Sequence, residues 1–532
     1  MISLYLFVLL PILTAVLIYL FSNKNMKIFS ILLQVIFFVA TVINFLHVKK
    51  YGTLTENLGG WTNYTGITLR MDILASVMVM LVAFLFLAFL IYDYSQKYVN
   101  KLFLFTFLIL QSLITGIILA NDLFNIYVLL EVSSIVVSIL IMFKKDSRSL
   151  YDGIVYLLIN IVAMTFFLFG VGFLYKTFGV LDLSAVREGI ALVEDPSSLV
   201  LPYSLMITAA GLKSALMPLF SWLPKAHGTP GAPSIVSALL SGLYVKTGLY
   251  LFIRIQEMFS PAINTSNFFM LMGFLTGVVG FILALSQTDI KLILSYSTIS
   301  QIGLIMIGIN YPQKDSYFGA MYHIVNHAFF KTTLFLITGI IIEKYGTRNI
   351  NKIRGVFKRM PFISVAAFLA ILGITGAPFF NGSFSKYLMK TAISESPLEY
   401  GIILLNLGTV LYCLKFLSIF KSGSDKTPLK VDNYRKAVTV VLALMCFIGG
   451  VFGEYFVKFL FNYTVDFDWL YYFQNVILFV FTTFTGLIIY KFLIPKMVWL
   501  TKIKGIEMDF NNVCLSIAIF FLVVTGTVFI TV

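Results

Sequence analysis

Apolar runs long enough to cross a bilayer recur along this chain from Ile2 to Ile530. A run of about 18 residues or more matches the roughly 30 Å of hydrocarbon as a helix, and a helix satisfies its own backbone polar groups there. The fold class that follows is an all-α polytopic membrane protein. Composition agrees: 59% of the residues are hydrophobic and 12% charged, where soluble domains carry about 25% charged residues. No stretch reads as a separate soluble domain. The net charge of +14 does not indicate nucleic acid, because the basic residues sit in short loops between apolar runs, where orientation signals belong. Cys413, Cys446 and Cys514 lie in apolar runs without metal or redox spacing and read as inert buried thiols. The run Ile2–Phe21 lacks a basic leader and an A-x-A site, so it reads as a retained first span.

Sixteen spans are expected: 2–21, 27–46, 73–92, 102–120, 122–143, 152–175, 202–226, 233–254, 267–286, 293–309, 317–342, 362–394, 400–420, 437–460, 470–490 and 512–531. With the N-terminus outside, the inner loops collect most of the lysine and arginine, from Lys24, Lys27, Lys97 and Lys101 to Lys344, Arg348, Lys426, Arg435 and Lys504. The outer loops keep few, such as Lys49, Lys50, Arg70, Arg187 and Arg254. An odd miscount would scramble this asymmetry. The two longest outer loops, about 47–72 and 176–201, carry no readable chemistry.

Two spans are interrupted. Span 7 holds Lys213 together with Pro218 and Pro224, and span 8 follows with Lys246. Proline removes a helix donor, and a lysine at mid-membrane costs about 3 kcal/mol on insertion scales. Span 12 is broken at GITGAPFFNG, with Gly376 and Pro378, and Lys386 follows. Broken helices near the midplane recur at ion sites in transporters. The breaks are five spans apart, an odd offset, which is the trace that an inverted repeat of spans 4–8 against 9–13 leaves.

Other ionisable groups lie within spans. Glu131 is a mid-span carboxylate that needs a partner or a proton, and Lys213 is the expected partner. His323, His327 and Lys331 fall at i, i+4 and i+8, which drift by about 40° per step and so share one face. Relay, packing histidines, and a metal or haem ligand are the three readings of that face; no nearby carboxylate or cysteine completes a metal set. Lys415 and Lys458 lie near span ends and read as snorkelling. Lys390, four residues past Lys386, is ambiguous. The GVGF at Gly170–Phe173 reads as helix packing. There is no Walker loop, dinucleotide fingerprint or cysteine cluster, so no cofactor and no redox or hydrolytic site is expected in the chain itself.

Four motifs then carry a resemblance. NDLFNIYVLLE (Asn121–Glu131), GLKSALMPLFSWLPKAHGTPGAPSIVSALLSGLYVKTGLY (Gly211–Tyr250), DIKLILSYSTISQIG (Asp289–Gly303) and HIVNHAFFKTTLFLITG (His323–Gly339) resemble the antiporter-like subunits shared by Mrp-type cation/proton antiporters, respiratory complex I and membrane-bound hydrogenases. The first two are nearer in wording to the D subunit of Mrp antiporters and its hydrogenase relatives than to complex I. The resemblance implies a 14-helix core with two inverted five-helix repeats and broken helices 7 and 12, leaving about two extra C-terminal spans. The expected division is 1–99, 100–256, 265–420 and 421–532. It also implies a midplane proton path through Glu131, Lys213, Lys246, His323, His327, Lys331 and Lys386, and other membrane subunits as partners in a prokaryotic cell membrane. Protons are the expected cargo, and whether sodium passes through this chain or a neighbour stays open. The alternative is the same pumping core in a ferredoxin-linked hydrogenase or complex I-like machine. A stand-alone solute carrier and a purely structural subunit are the rivals from other classes.

Overall fold

Capping residues set where eight of the spans begin. An aspartate or asparagine accepts a hydrogen bond from the first helical turn at Asp72, Asn100, Asp122, Asp146, Asp289, Asp432, Asp468 and Asp509. Each such cap is worth about 1 kcal/mol. The computed structural model describes residues 1–21, 25–62, 65–394, 396–423, 427–504 and 508–532; Lys24 and Lys426 lie outside the described residues. Within these, 13 helices are long and apolar enough to cross a membrane. The shorter apolar helices Leu4–Leu20 and Pro361–Thr375 and the interrupted pair Val200–Lys213 and Trp222–Gly228 fill the remaining expected crossings. Several helices outrun their apolar windows because polar ends stay helical: span 2 is Met26–Tyr51, span 6 Ser147–Phe178 and span 11 Lys314–Tyr345. Span 14 bends at Phe452 between Asn433–Val451 and Gly453–Phe461.

Loop contacts sort by face as the charge pattern requires. On one face, Arg435 pairs with Glu343 at 2.5 Å and with Asp93 at 3.5 Å, Arg348 pairs with Asp289 at 2.7 Å, and Lys27 donates to Tyr94 and Gln96 carbonyls. All of these are expected inner residues. On the other face, Arg254 pairs with Asp72 at 2.6 Å, Lys49 donates to the Phe459 carbonyl at 2.6 Å, and Tyr463 donates to Asp315 at 2.6 Å. The outer loop 47–72 forms a hairpin of Leu54–Asn57 against Thr68–Met71, antiparallel with Leu54 opposite Met71. The other long outer loop contains the helix Leu183–Ile190.

One backbone pattern occurs twice. Leu123 N–H donates to Leu181 O and Leu183 N–H to Asn121 O; Ile290 N–H donates to Arg348 O and Ile350 N–H to Thr288 O. Adding 167 to each residue of the first set gives the second. The first copy lies on the hairpin face, where Thr68 donates to Asp182 at 2.5 Å. The second lies at the start of Ile290–Asn310, whose far end, about 31 Å away at 1.5 Å per residue, shares a cavity with Arg187 and Glu257. The two copies therefore sit on opposite faces.

Small residues let the spans approach closely. A Cβ on Gly303 would lie 2.3 Å from Gly277 N, so spans 9 and 10 touch backbone to backbone. A Cβ on Gly170 would lie 2.4 Å from Met206 Cγ, which makes the GVGF patch a packing seam between spans 6 and 7. Cys413, Cys446 and Cys514 are free thiols.

Candidate functional site

The two breaks are built alike. In span 7, Leu216 N–H donates to Gly211 O at 3.0 Å and Ala215 N–H to Leu212 O at 2.9 Å. In span 12, Ala377 N–H donates to Leu372 O at 3.0 Å and Gly376 N–H to Gly373 O at 3.2 Å. Both are helix ends closed by a left-handed residue, with φ +56° at Ala215 and +78° at Gly376. Pro218 and Pro378 fall in the unwound segments, where no donor is missed; Pro224 sits in the first turn of Trp222–Gly228.

Neighbouring groups then satisfy the freed backbone. Trp222 donates to Leu212 O at 2.7 Å and Thr276 accepts from Met217 N at 3.0 Å. At the second break, Asn326 donates to Asn381 O at 3.0 Å, and Tyr472 accepts from Phe379 N at 3.2 Å. The lysines differ in placement. Lys213 ends the first half-helix of span 7, whereas Lys386 belongs to the second half of span 12, Asn381–Ile393, and reaches back to Ile374 O at 2.8 Å. The Lys386 ammonium thus sits at the carbonyl end of a half-helix, the end that favours a cation, and Lys213 lies in the last turn of the other.

The other lysines follow the same logic. Span 8 runs Ser234–Leu239, a π-helical turn Leu240–Tyr244, then Val245–Phe259. Wider turns of this kind cluster at functional sites. Lys246 donates to Ser241 O within that turn and lies 2.6 Å from His327 Nδ1. Lys331 donates to Leu294 O at 3.1 Å and to Ser297. Lys213 donates to Ser134 at 2.6 Å and to Tyr244 at 3.4 Å, and Tyr244 shares a hydrogen bond with Ser133 at 3.0 Å. Lys386 also donates to Asn406 Oδ1 at 2.7 Å. Among the described residues, no carboxylate lies within ion-pair distance of Lys213, Lys246, Lys331 or Lys386.

His323, His327 and Lys331 are fully buried but serve different neighbours. His323 Nε2 meets Gln301 Oε1 at 3.1 Å and Nδ1 meets Ser385 Oγ at 2.8 Å. Gln301 spends its amide nitrogen on Thr409 and Tyr412. Its oxygen is left to accept, so Nε2 of His323 donates to it, while Nδ1 shares a hydrogen bond with the Ser385 hydroxyl. Ser385 precedes Lys386 directly. The structure thus brings Lys213, Lys246, His327, Lys331, His323 and Lys386 into one buried band. Among the described residues, no side-chain bond joins Tyr244 to Lys246 or His327 to His323.

Glu131 departs from expectation. It does not pair with Lys213; it is half-buried on a helix face shared with the exposed Val128, Val132 and Ile135. The helix Leu123–Ile141 turns Ser133 and Ser134 toward the lysine instead. Lys415 is held near the inner end of span 13 by Leu285 O, and Lys458 is exposed.

The residues missed from sequence are neutral: Ser133, Ser134, Ser241, Tyr244, Ser297, Gln301, Ser385 and Asn406. One signal was available. The stretch Ser295–Gln301 reads SYSTISQ inside an otherwise apolar span, too many hydroxyls for a lipid-facing surface.

The fold and this band define a class: a polytopic membrane protein whose interior carries a row of lysines and histidines held by neutral acceptors. The chain belongs to the NADH:quinone oxidoreductase/Mrp antiporter transmembrane family, whose model matches residues 120–412. It is 30% identical over 459 residues to the antiporter subunit mnhD2 of Staphylococcus haemolyticus (strain JCSC1435), covering 84% of this chain and 91% of that one. The mnhD2 protein of Staphylococcus aureus (strain MRSA252) is 29% identical over 465 residues, covering 85% and 93%. In fold, the chain is similar to one from the Mrp complex of Dietzia sp. DQ12-45-1b, with a TM-score of 0.80 and 20% identity over 94% of this chain and 99% of that one. It is equally similar to a chain of the membrane-bound sulfane sulfur reductase, an archaeal respiratory membrane complex, with a TM-score of 0.80, 22% identity, and 91% and 99% covered.

Proposed function

We propose that this chain is the proton-translocating, D-type subunit of a multisubunit cation/proton antiporter in a prokaryotic plasma membrane. The observation that carries the reading is the set of four buried lysines bound by carbonyls, hydroxyls, an amide and, at Lys246, the His327 ring, with no carboxylate among their partners within the described residues. An ammonium paired with a carboxylate keeps its proton; one held by neutral dipoles can give it up when a neighbour's charge changes. Protons enter near Lys213 and Glu131, cross by Lys246, His327, His323 and Lys331, and leave near Lys386. Moving one charge through 100 mV is worth about 2.3 kcal/mol, the same order as one or two pKa units on a relay group.

The repeated hydrogen-bond pattern on opposite faces supports the division into 1–99, 100–256, 265–420 and 421–532, with the two middle segments as inverted copies. Glu131 supports a subunit partner. A mid-membrane carboxylate on a half-exposed face is costly in lipid, and another membrane subunit laid on that face removes it from hydrocarbon.

The test is pH-gradient-driven cation exchange in vesicles carrying the complete set of subunits. Lys213→Ala and Glu131→Ala are expected to abolish it with the complex still assembled; undiminished exchange in both would reject the relay. The second reading, a proton pump in a redox-driven complex, draws on the fold shared with the sulfane sulfur reductase chain. It predicts hydrogenase-like or iron–sulfur subunits among the co-purifying polypeptides.

A further inference from the structure

Span 15 contributes little to the core. The helix Trp469–Ile488 and its continuation to Lys496 are only 11% buried over their apolar window. Yet Tyr471 and Asn475 turn toward span 12 and not toward lipid. Asn475 Oδ1 accepts from Lys390 at 2.8 Å, and the Lys390 ammonium lies 5.7 Å from the centre of the Tyr471 ring. Lys390 also lies 3.4 Å from Glu399, with side chains 15% and 26% exposed. Lys390 is one turn beyond Lys386, and both line a cavity of about 60 Å³ with Tyr387, Asn406 and Asn475. That volume has room for about two waters at ~30 Å³ each. The cavity lies toward the hairpin face, since Tyr387 bonds the backbone of Asp468 at 3.0 Å in the loop that also holds Tyr463 on Asp315.

We propose that Lys390 and Glu399, roofed by Asn475 and Tyr471 of span 15, form the outward mouth of the proton path. The proposal rests on the reading of Lys386 as a relay group. Glu399 takes a proton from the Lys390 ammonium and releases it to outer water. Lys390, now an amine, takes a proton from the Lys386 ammonium through the cavity, and Lys386 is refilled from the row. Each group returns to its starting state, and one proton has moved. The groups facing Lys390 are Lys386 and Tyr387 from span 12, Glu399 and Asn406 from span 13, and Tyr471 and Asn475 from span 15. The bland alternative is a static surface pair, which is worth little.

Arginine separates the two. It keeps the charge and the pair with Glu399, but its guanidinium does not deprotonate in proteins. In the assembled complex in proteoliposomes, Lys390→Arg and Glu399→Gln are each expected to slow exchange by about tenfold or more, while Glu399→Asp retains it. Wild-type rates in Lys390→Arg and Glu399→Gln, with Lys386→Ala inactive, overturn the mouth and leave the relay standing. Wild-type rates in Lys386→Ala overturn both. A second measurement needs no transport: in Asn475→Cys, a small membrane-impermeant thiol reagent added outside is expected to react, and reagent added inside is not. Failure to label from outside overturns the proposal.

Discussion

Gly248 in span 8 packs against the break in span 7, and the consequence of filling it can be worked out. A Cβ at this position would lie 2.4 Å from Lys213 C, 2.5 Å from Ser214 N and 2.6 Å from Lys213 O. All three atoms are backbone, so no side chain can swing aside. Ordinary contact begins near 3.4 Å, so Gly248→Ala forces spans 7 and 8 apart by about 1 Å, an overpacking that costs about 1–3 kcal/mol. The same shift carries the Lys213 ammonium away from Tyr244, now at 3.4 Å, and out of hydrogen-bond range. A misplacement of about 1 Å can cost on the order of 100-fold in rate. The assay is cation-driven proton exchange in vesicles, read beside the melting temperature of the complex in detergent. Gly172→Ala is the control, because its Cβ would meet nothing within 4 Å. Gly248→Ala is expected to lower both readings and Gly172→Ala neither. A Gly248→Ala complex with wild-type melting and wild-type exchange would refute the argument that close approach fixes Lys213.

Three further outcomes follow from other contacts. Ala215 holds φ +56°, which costs an L-residue about 1–2 kcal/mol; Ala215→Gly is expected to raise the melting temperature, and a decrease would contradict a strained break. Tyr244→Phe removes the hydroxyl shared by Lys213 and Ser133 without changing the ring packing, so exchange should slow while melting stays put; the reverse result would make Tyr244 a packing residue. Asp93, in the inner loop after span 3, is raised to about 6 by burial, against the opposing pull of Tyr98, Arg435 and Lys27. Its folded form therefore binds a proton more tightly than the unfolded chain does. The stability it contributes is present at low pH and is lost as pH rises from about 4 through about 6, on the order of 3 kcal/mol in all. Melting of the wild type relative to Asp93→Asn should fall between about pH 4 and 6; a constant difference would place the carboxyl's titration elsewhere.

The crossings, the two breaks and the buried cations were legible because each violates or obeys a strong rule. Hydrocarbon length sets the spans, and proline and glycine in an apolar run mark a break. A lysine such as Lys246 has no cheap reason to be mid-membrane. What the sequence did not disclose was which partner each charge takes. Opposite charges at Glu131 and Lys213 pointed to a pair, but the rotation of the helix Leu123–Ile141 sends Glu131 outward and offers Ser134. Helix phase against a neighbour is set by packing, and a single sequence does not contain it. The π-helical turn at Leu240–Tyr244 was hidden for the same reason: its residues are ordinary, and only the fit of span 8 against its neighbours reveals the extra residue. Lys390 was ambiguous until span 15 was seen to lie over it.

Lys246 stands at the centre of the row, bonded to span 11 through His327. The decisive measurement is exchange by the assembled complex carrying Lys246→Arg, which keeps a buried cation but removes the ability to release a proton. The account predicts that exchange stops while the complex assembles and melts near the wild type. Exchange at the wild-type rate would mean that a fixed charge suffices at this position and that protons do not pass through it.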